Sequence, residues 1–84
     1  MNTGNMTLEI LSPEKSLFRG TVSCVYVPGK KAPFVILYNH APIISLLQHG
    51  RLVWNDGESD LYVEITNGFV EVNENVITVC VELK

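Results

Sequence analysis

The chain has 84 residues, of which 46% are hydrophobic, and six basic against nine acidic side chains give it a net charge of −3. This length predicts one small folded domain with no room for a deep active-site cavity. The acidic balance argues against nucleic-acid binding, which needs clustered Lys and Arg, and no run of about 18 apolar residues is present to form a membrane-spanning helix.

The N-terminal third is predicted to form strands. Apolar residues alternate with polar ones at its start, which is the period of a half-buried strand. The apolar positions are Met6, Leu8 and Ile10. Ser12-Pro13-Glu14 ends this strand, and a second β-rich stretch over residues 18–27 ends at Pro28-Gly29.

A polar turn, Asn39-His40-Ala41-Pro42, separates two apolar segments, residues 34–37 and 43–47. Because both segments need burial, the turn must double back at the surface. Pro42 stiffens it by fixing its own φ and favouring an extended Ala41, which suits a docking contact better than a mobile lid. Segment 43–47 is ambiguous, since its apolar spacing favours a helix while its neighbours read as strands.

The C-terminal third is predicted to be a meander of strands. Residues 51–54 pair with residues 61–65 across a polar turn. Asn67-Gly68 predicts a hairpin turn, because both residue types accept positive φ. Residues 69–72 form the return strand, and its predicted core residues are Phe69, Val70 and Val72. A further turn at residues 73–75 leads into a β-branched strand over residues 76–83.

Short alternating strands with frequent turns predict an all-β fold, a two-sheet β-sandwich of about 8–10 short, mainly antiparallel strands. We expect residues 1–5 to be a polar N-terminal tail and residues 6–84 to form the sandwich domain.

No catalytic or cofactor motif stands out. His40 and His49 have no metal-ligand partner at i+3 or i+4, and no nucleophile elbow or Gly-rich phosphate loop is present. Cys24 and Cys80 are too few for a disulfide framework and are expected to be small buried side chains, with a single bridge between them left open. The sequence therefore predicts a protein that is not an enzyme and holds no cofactor or metal.

Four motifs occur in order along the chain. They are Leu8-Glu9-Ile10-Leu11-Ser12-Pro13-Glu14 with Leu17-Phe18 and Gly20, Val27-Pro28-Gly29 with Phe34, Asn39-His40-Ala41-Pro42 with Gly50, and Asn67-Gly68-Phe69-Val70-Glu71-Val72 with Asn75-Val76-Ile77-Thr78-Val79. Together they resemble the N-terminal β-sandwich domain of the epsilon subunit of rotary F-type ATP synthases. The chain departs from the family pattern at Ala32-Pro33, Tyr38 and Asn67.

The resemblance implies a non-catalytic central-stalk (rotor) subunit. Such a subunit couples the gamma subunit to the membrane c-ring during proton-driven ATP synthesis, at the cytoplasmic face of the bacterial plasma membrane and peripheral through the complex. It also implies that residues 43–47 are extended. Family members commonly continue into a C-terminal helical hairpin that can inhibit hydrolysis and in some members binds ATP. Since the sequence stops at Lys84, neither that regulation nor an ATP site is expected.

The resemblance also suggests which residues meet the two partners. The expected c-ring contacts are Lys31, Ala32, Pro33 and His40. The expected gamma contacts are Asn39, Ala41, Pro42, Ser45 and Leu46. His40 has an alternative role as a hydrogen-bonding cap within its loop. The alternative function is a stand-alone ligand-binding β-sandwich, for example one that binds carbohydrate through an exposed pair formed by Trp54 and Tyr62.

Overall fold

In the computed structural model, which describes residues 4–84, short turns join eight strands. Residues 1–3 of the predicted polar tail lie outside the described residues. The strands are β1 (Met6–Leu11), β2 (Ser16–Val22), β3 (Cys24–Val27), β4 (Phe34–Ile36), β5 (Ile43–Leu47), β6 (Gly50–Asn55), β7 (Asp60–Asn73) and β8 (Val76–Leu83). The described residues contain no helix, which agrees with the predicted all-β class.

The strands hydrogen-bond in the order β2-β1-β8-β7-β6-β3-β4, and β5 pairs with β7 outside this path. The β1–β8 pair is parallel and the remaining pairs are antiparallel. The long strand β7 serves both layers of the sandwich. Its first half pairs with β6, and its second half, from Gly68 to Val72, pairs with β5.

The two layers enclose one apolar core. Residues of alternating parity on both layers point into it, as period-two strands require. The buried residues include Leu8, Ile10, Val25, Ile36, Leu52, Trp54, Ile65, Val70, Val72, Ile77 and Val79. The predicted two-sheet, mainly antiparallel sandwich is therefore confirmed.

The predicted hairpin turn at Asn67-Gly68 is wrong. β7 runs straight through both residues, and neither has a positive φ. The pairing of β7 with β8 shifts register between Ile65 and Asn67, which marks a β-bulge. Glycine is needed at position 68 for another reason: a Cβ there would overlap the carbonyl oxygen of Cys80 on β8.

The segment Ile43–Leu47 is a strand, as the resemblance implied and against its helical spacing.

The turn predicted at residues 73–75 is confirmed. Glu74 and Asn75 have positive φ angles of 49° and 65°, which are the signature of a type I′ hairpin turn.

Three side chains are less buried than the sequence suggested. Phe69, predicted to be core, is exposed on the outer face of β7. Its neighbours Val70 and Val72 are buried, so Phe69 has the opposite parity. Cys24 and Cys80 are free thiols and only half-buried.

The loop between β6 and β7 folds around Asp56. One carboxylate oxygen of Asp56 accepts hydrogen bonds from the backbone N–H groups of Glu58 (2.9 Å) and Ser59 (3.0 Å). The bond from Ser59 contributes most and the bond from Glu58 next, and they lower the pKa of Asp56 below its ordinary value.

We expect this loop to leave a signature in acid. A carboxyl whose pKa is lower in the folded than in the unfolded chain stabilises the fold above the unfolded-state pKa, about 3.9 for Asp. That contribution disappears as the pH falls through the folded-state pKa. An NMR titration should give Asp56 a midpoint below that of the chain in denaturant, and Asp56→Asn should remove its part of the acid destabilisation. A folded-state midpoint equal to the denatured one would contradict this account.

Candidate docking surface

The turn at residues 30–33 lies against β5. The backbone N–H of Lys30 donates to the carbonyl of Leu46 (2.9 Å), and Gly29 forms a bridge with Leu47. Lys31, Ala32 and Pro33 are exposed.

The turn and β5 form a groove, named here the β5 groove, lined by residues 29–34 and 44–46. The groove brings together Lys31, Ala32 and Pro33, expected to meet the c-ring, with Ser45 and Leu46, expected to meet gamma. These members of the two predicted sets are therefore neighbours on one surface. Ser45 is half-buried and lies opposite the buried Val70 in the strand register, so its side chain points towards the core rather than outwards.

The loop between β4 and β5 holds the remaining predicted residues. The N–H of His40 donates to the carbonyl of Leu37 (3.0 Å), and Asn39 has a φ of 66°, so the loop makes a tight turn. The Nδ1–H of His40 donates to the carbonyl of Ala41 (2.7 Å). Its ring lies 6.4 Å from that of Phe34, which lines the β5 groove. His40 thus caps its own loop, and a partner contact through it stays a prediction.

Asn75, in the turn between β7 and β8, hydrogen-bonds to this loop from another segment of the chain. Its Oδ1 accepts a hydrogen bond from the backbone N–H of Asn39 (2.6 Å), and its Nδ2 donates to Oδ1 of Asn39 (3.1 Å). No local sequence signal indicates this pair, because the two residues lie 36 positions apart.

An apolar strip crosses the outer face of the sandwich. Ile44 and Leu46 on β5 are 75% and 58% exposed, and Phe69 on β7 is 42% exposed. The register places Leu46 beside Phe69, Phe69 beside Cys80, and Cys80 beside Leu11. We call these five residues, Ile44, Leu46, Phe69, Cys80 and Leu11, the apolar strip. Exposed apolar surface that is contiguous over several strands is typical of protein–protein contacts.

Ile44 and Phe69 were not predicted to be surface residues. Strand parity carries the signal, because Ile44 shares the parity of Leu46, and Phe69 has the parity opposite to Val70. Strand parity predicts the exposure of these two side chains only when residues 43–47 are known to be extended and β7 is known to continue past Gly68.

The structure removes the basis of the carbohydrate-binding alternative. Trp54 is only 6% exposed and packs against Phe18, with 5.0 Å between ring centroids. Tyr62 is paired with Val53, the neighbour of Trp54, so Trp54 and Tyr62 lie on opposite faces of the sheet. Tyr62 instead stacks under the guanidinium of Arg51, 4.1 Å from its ring centroid. The two aromatic side chains cannot grip one sugar.

Within residues 4–84 no three His, Cys, Asp or Glu side chains come together as metal ligands. The same part of the chain has no helix with the length and apolarity needed to cross a bilayer.

Residues 5–83 match the family model described as "ATP synthase, Delta/Epsilon chain, beta-sandwich domain". The chain belongs to this family. The resemblance drawn from the four motifs is thus confirmed.

Relatives in the family are named as epsilon chains. The ATP synthase epsilon chain of Leptospira interrogans is 37% identical over 79 residues, which are 94% of this chain and 62% of that protein. That of Caulobacter vibrioides is 34% identical over 73 residues, covering 87% of this chain and 85% of the relative. The chain spans less than two thirds of the Leptospira protein.

Two solved structures share the fold. A chain of the Euglena gracilis mitochondrial ATP synthase OSCP/F1/c-ring structure superposes with a TM-score of 0.87 at 17% identity, over 96% of this chain and 52% of that one. A chain of the Tetrahymena thermophila mitochondrial ATP synthase central stalk/c-ring structure gives 0.78 at 20% identity, over 98% and 66%. At such low identity these similarities concern the fold alone.

Proposed function

We propose that the chain is a non-catalytic rotor subunit of an F-type ATP synthase that couples gamma to the c-ring during proton-driven ATP synthesis. Residues 6–84 are its docking domain, held at the cytoplasmic face of the bacterial plasma membrane through the complex. Family membership supports the assignment to ATP synthase. The apolar strip is the observation that carries the docking role, because it crosses four strands with Ile44, Leu46 and Phe69 exposed and Cys80 and Leu11 half-buried.

The mechanical demand favours a broad contact. One charge that crosses 100 mV releases about 2.3 kcal/mol, and several such charges rival the whole folding stability of a small domain, roughly 5–15 kcal/mol. A single loop could not transmit that energy without unfolding. A close-packed sandwich with one strand shared by both layers can hold a broad surface rigid.

The arrangement of the surface suggests how the partners divide it. Gamma covers the apolar strip, which includes Leu46, and the adjoining edge of β5. Asn39, Ala41, Pro42 and Ser45 lie at the border of this contact. The polar loops of the c-ring meet the Lys31-Ala32-Pro33 turn and His40. Lys31, Ala32 and Pro33 adjoin Ser45 and Leu46 along the β5 groove, so gamma and the ring would also be neighbours of each other.

The gamma contact is tested by placing a charge in the strip. Leu46→Asp should weaken the binding of purified gamma by about 30-fold or more, because buried apolar anchors dominate such interfaces. Tyr26→Asp is the matched control, since Tyr26 is also an exposed apolar side chain, 50% exposed, but lies on β3 in the other layer. Isothermal titration calorimetry with gamma measures both. Equal affinity for the two variants would exclude the strip as the gamma site.

The ring contact has its own test. A combined Lys31→Glu and Pro33→Ala variant should still bind gamma, because neither residue belongs to the loop at residues 38–42, but should be recovered less with detergent-solubilised c-ring in a pull-down. Lys15→Glu is the charge-matched control, because Lys15 is exposed in the turn between β1 and β2, outside the predicted ring contact. Full recovery of the combined variant would remove these residues from the ring contact.

A further inference from the structure

Asn75 connects three separate segments of the chain. Its backbone carbonyl accepts a hydrogen bond from the N–H of Thr7 on β1 (3.0 Å). Its side chain makes the two hydrogen bonds to Asn39 described above, at 2.6 Å and 3.1 Å. One turn residue thereby ties the start of β1 and the loop at residues 37–42 to the β7–β8 hairpin.

Both partners of the amide pair have left-handed backbones, with φ of 66° at Asn39 and 65° at Asn75. Asparagine adopts this conformation more readily than most residues other than glycine. Glycine would fit the backbone at either position but would lose the side-chain bonds. The left-handed backbone alone therefore does not account for asparagine at these positions, and the side-chain hydrogen bonds are its additional contribution.

The residue that Asn75 fixes lies among the predicted docking residues. Asn39 opens the run that continues through His40, Ala41 and Pro42. Ala41 and Pro42 are exposed, and the loop's internal bonds run from His40 to Leu37 and from the His40 ring to Ala41. These internal bonds shape the turn, whereas the Asn75 pair anchors it to the rest of the sandwich.

We propose that Asn75 is a positioning residue: its carboxamide holds the loop at residues 38–42 in the orientation in which the loop docks onto gamma. The proposal rests on the proposed function. Asn75 acts through Asn39 rather than through a contact of its own with gamma. An ordered loop binds more tightly because less conformational entropy is lost when the complex forms.

The first test separates the carboxamide from the backbone of Asn75. Asn75→Gly keeps the left-handed φ and the carbonyl that receives Thr7 but deletes the side chain. Asn75→Asp keeps an acceptor for the Asn39 N–H, and the Asn39 amide can turn to donate to the second carboxylate oxygen. In the free chain, hydrogen exchange of the Asn39 amide should accelerate about fivefold in Asn75→Gly and much less in Asn75→Asp, since the hydrogen bond that this amide loses is worth about 1 kcal/mol.

Exchange of the amides of the β6–β7 pair, followed in the same spectra, checks that the sandwich stays folded. A purely structural role for the turn would favour glycine over aspartate at position 75. Unchanged Asn39 exchange in Asn75→Gly, or faster exchange in Asn75→Asp than in Asn75→Gly, overturns the proposal.

The second test is a double-mutant cycle on gamma binding. Asn75→Gly should weaken binding several-fold, and Asn39→Gly should weaken it in the wild-type background. Asn39→Gly should add little in the Asn75→Gly background, because the bond that it removes is already lost. An equal loss in both backgrounds would mean that Asn39 affects gamma binding independently of Asn75, and the positioning role would be wrong.

The two proposals fail in different ways. If the wild-type chain does not bind gamma, the proposed function is wrong, and so is the docking part of this inference. The amide exchange of Asn39 in the free chain then still decides whether Asn75 holds the loop. If wild-type binding is normal and Asn75→Gly binds equally well, only the inference is overturned.

Discussion

Gly68→Ala is expected to lower the free energy of unfolding by about 2–3 kcal/mol, in the upper range for an inserted methyl group in a packed site. A chain of this length has a total stability of roughly 4–13 kcal/mol. The melting temperature should fall by about 10–20 °C, since each kcal/mol shifts a small domain by several degrees. Thermal and urea denaturation followed by circular dichroism measure both quantities.

The physical reason is the close approach of two strands. A Cβ at Gly68 would overlap the carbonyl oxygen of Cys80 and would lie 3.1 Å from the Cα of Val81. Both obstacles are backbone atoms of β8, so no side-chain rotation relieves the overlap. β8 would have to move away from β7, along the longest ladder of the sandwich.

Gly20→Ala is the matched control. Gly20 is also a glycine within a strand, but the nearest atom to its added Cβ is the tip of the Phe18 ring, 3.1 Å away, so only the far end of a side chain has to shift by a few tenths of an ångström. We expect a change of about 0.5 kcal/mol or less in either direction, because strand propensity favours alanine over glycine only slightly. Equal destabilisation by the two substitutions would show that strand crowding at Gly68 is not the cause.

The same contact explains why the hairpin predicted at Asn67-Gly68 does not exist. An Asn-Gly pair is a strong turn signal because of its local backbone freedom, but glycine is equally demanded where another backbone comes too close. Both causes select the same residue, glycine, so the sequence alone does not tell them apart. Only the register between β7 and β8, set by residues about a dozen positions apart, distinguishes them.

Local rules likewise could not decide the conformation of Ile43–Leu47. Its apolar spacing fits a helix, yet the segment pairs with the second half of β7 and buries Leu47. Tertiary pairing overrode the spacing, and the resemblance to a known family carried information that the periodicity did not. By contrast, Leu8, Ile10, Ile77 and Val79 could be assigned from alternation alone, because each strand here has one face on the core.

The candidate surface was only partly accessible to sequence reasoning. The loop with His40 was visible as a stiff polar turn between apolar arms. The apolar strip was not, since Leu46, Phe69 and Cys80 become neighbours only through the pairing of three strands. The contacts with gamma and the c-ring remain predictions that the experiments above decide.

A comparison of two isoleucines separates the residues that hold the fold from those that dock. Ile77→Ala should cost about 2–5 kcal/mol of unfolding free energy, because Ile77 is fully buried and its removal leaves a cavity. Ile44→Ala deletes the same atoms from a side chain that is 75% exposed and should cost about 0.5 kcal/mol or less. Chemical denaturation of the two variants under one set of conditions measures the difference.

Binding to gamma should rank the same two variants in the opposite order. At a temperature where both are folded, Ile44→Ala should weaken gamma binding by about 1–2 kcal/mol, because the side chain becomes buried only in the complex. Ile77→Ala should bind gamma nearly as the wild type does, since Ile77 lies on the inner face of β8. If Ile77→Ala weakened binding more than Ile44→Ala, gamma binding would depend on the packing of the core rather than on the exposed side chains. The apolar strip would then not be a preformed docking site.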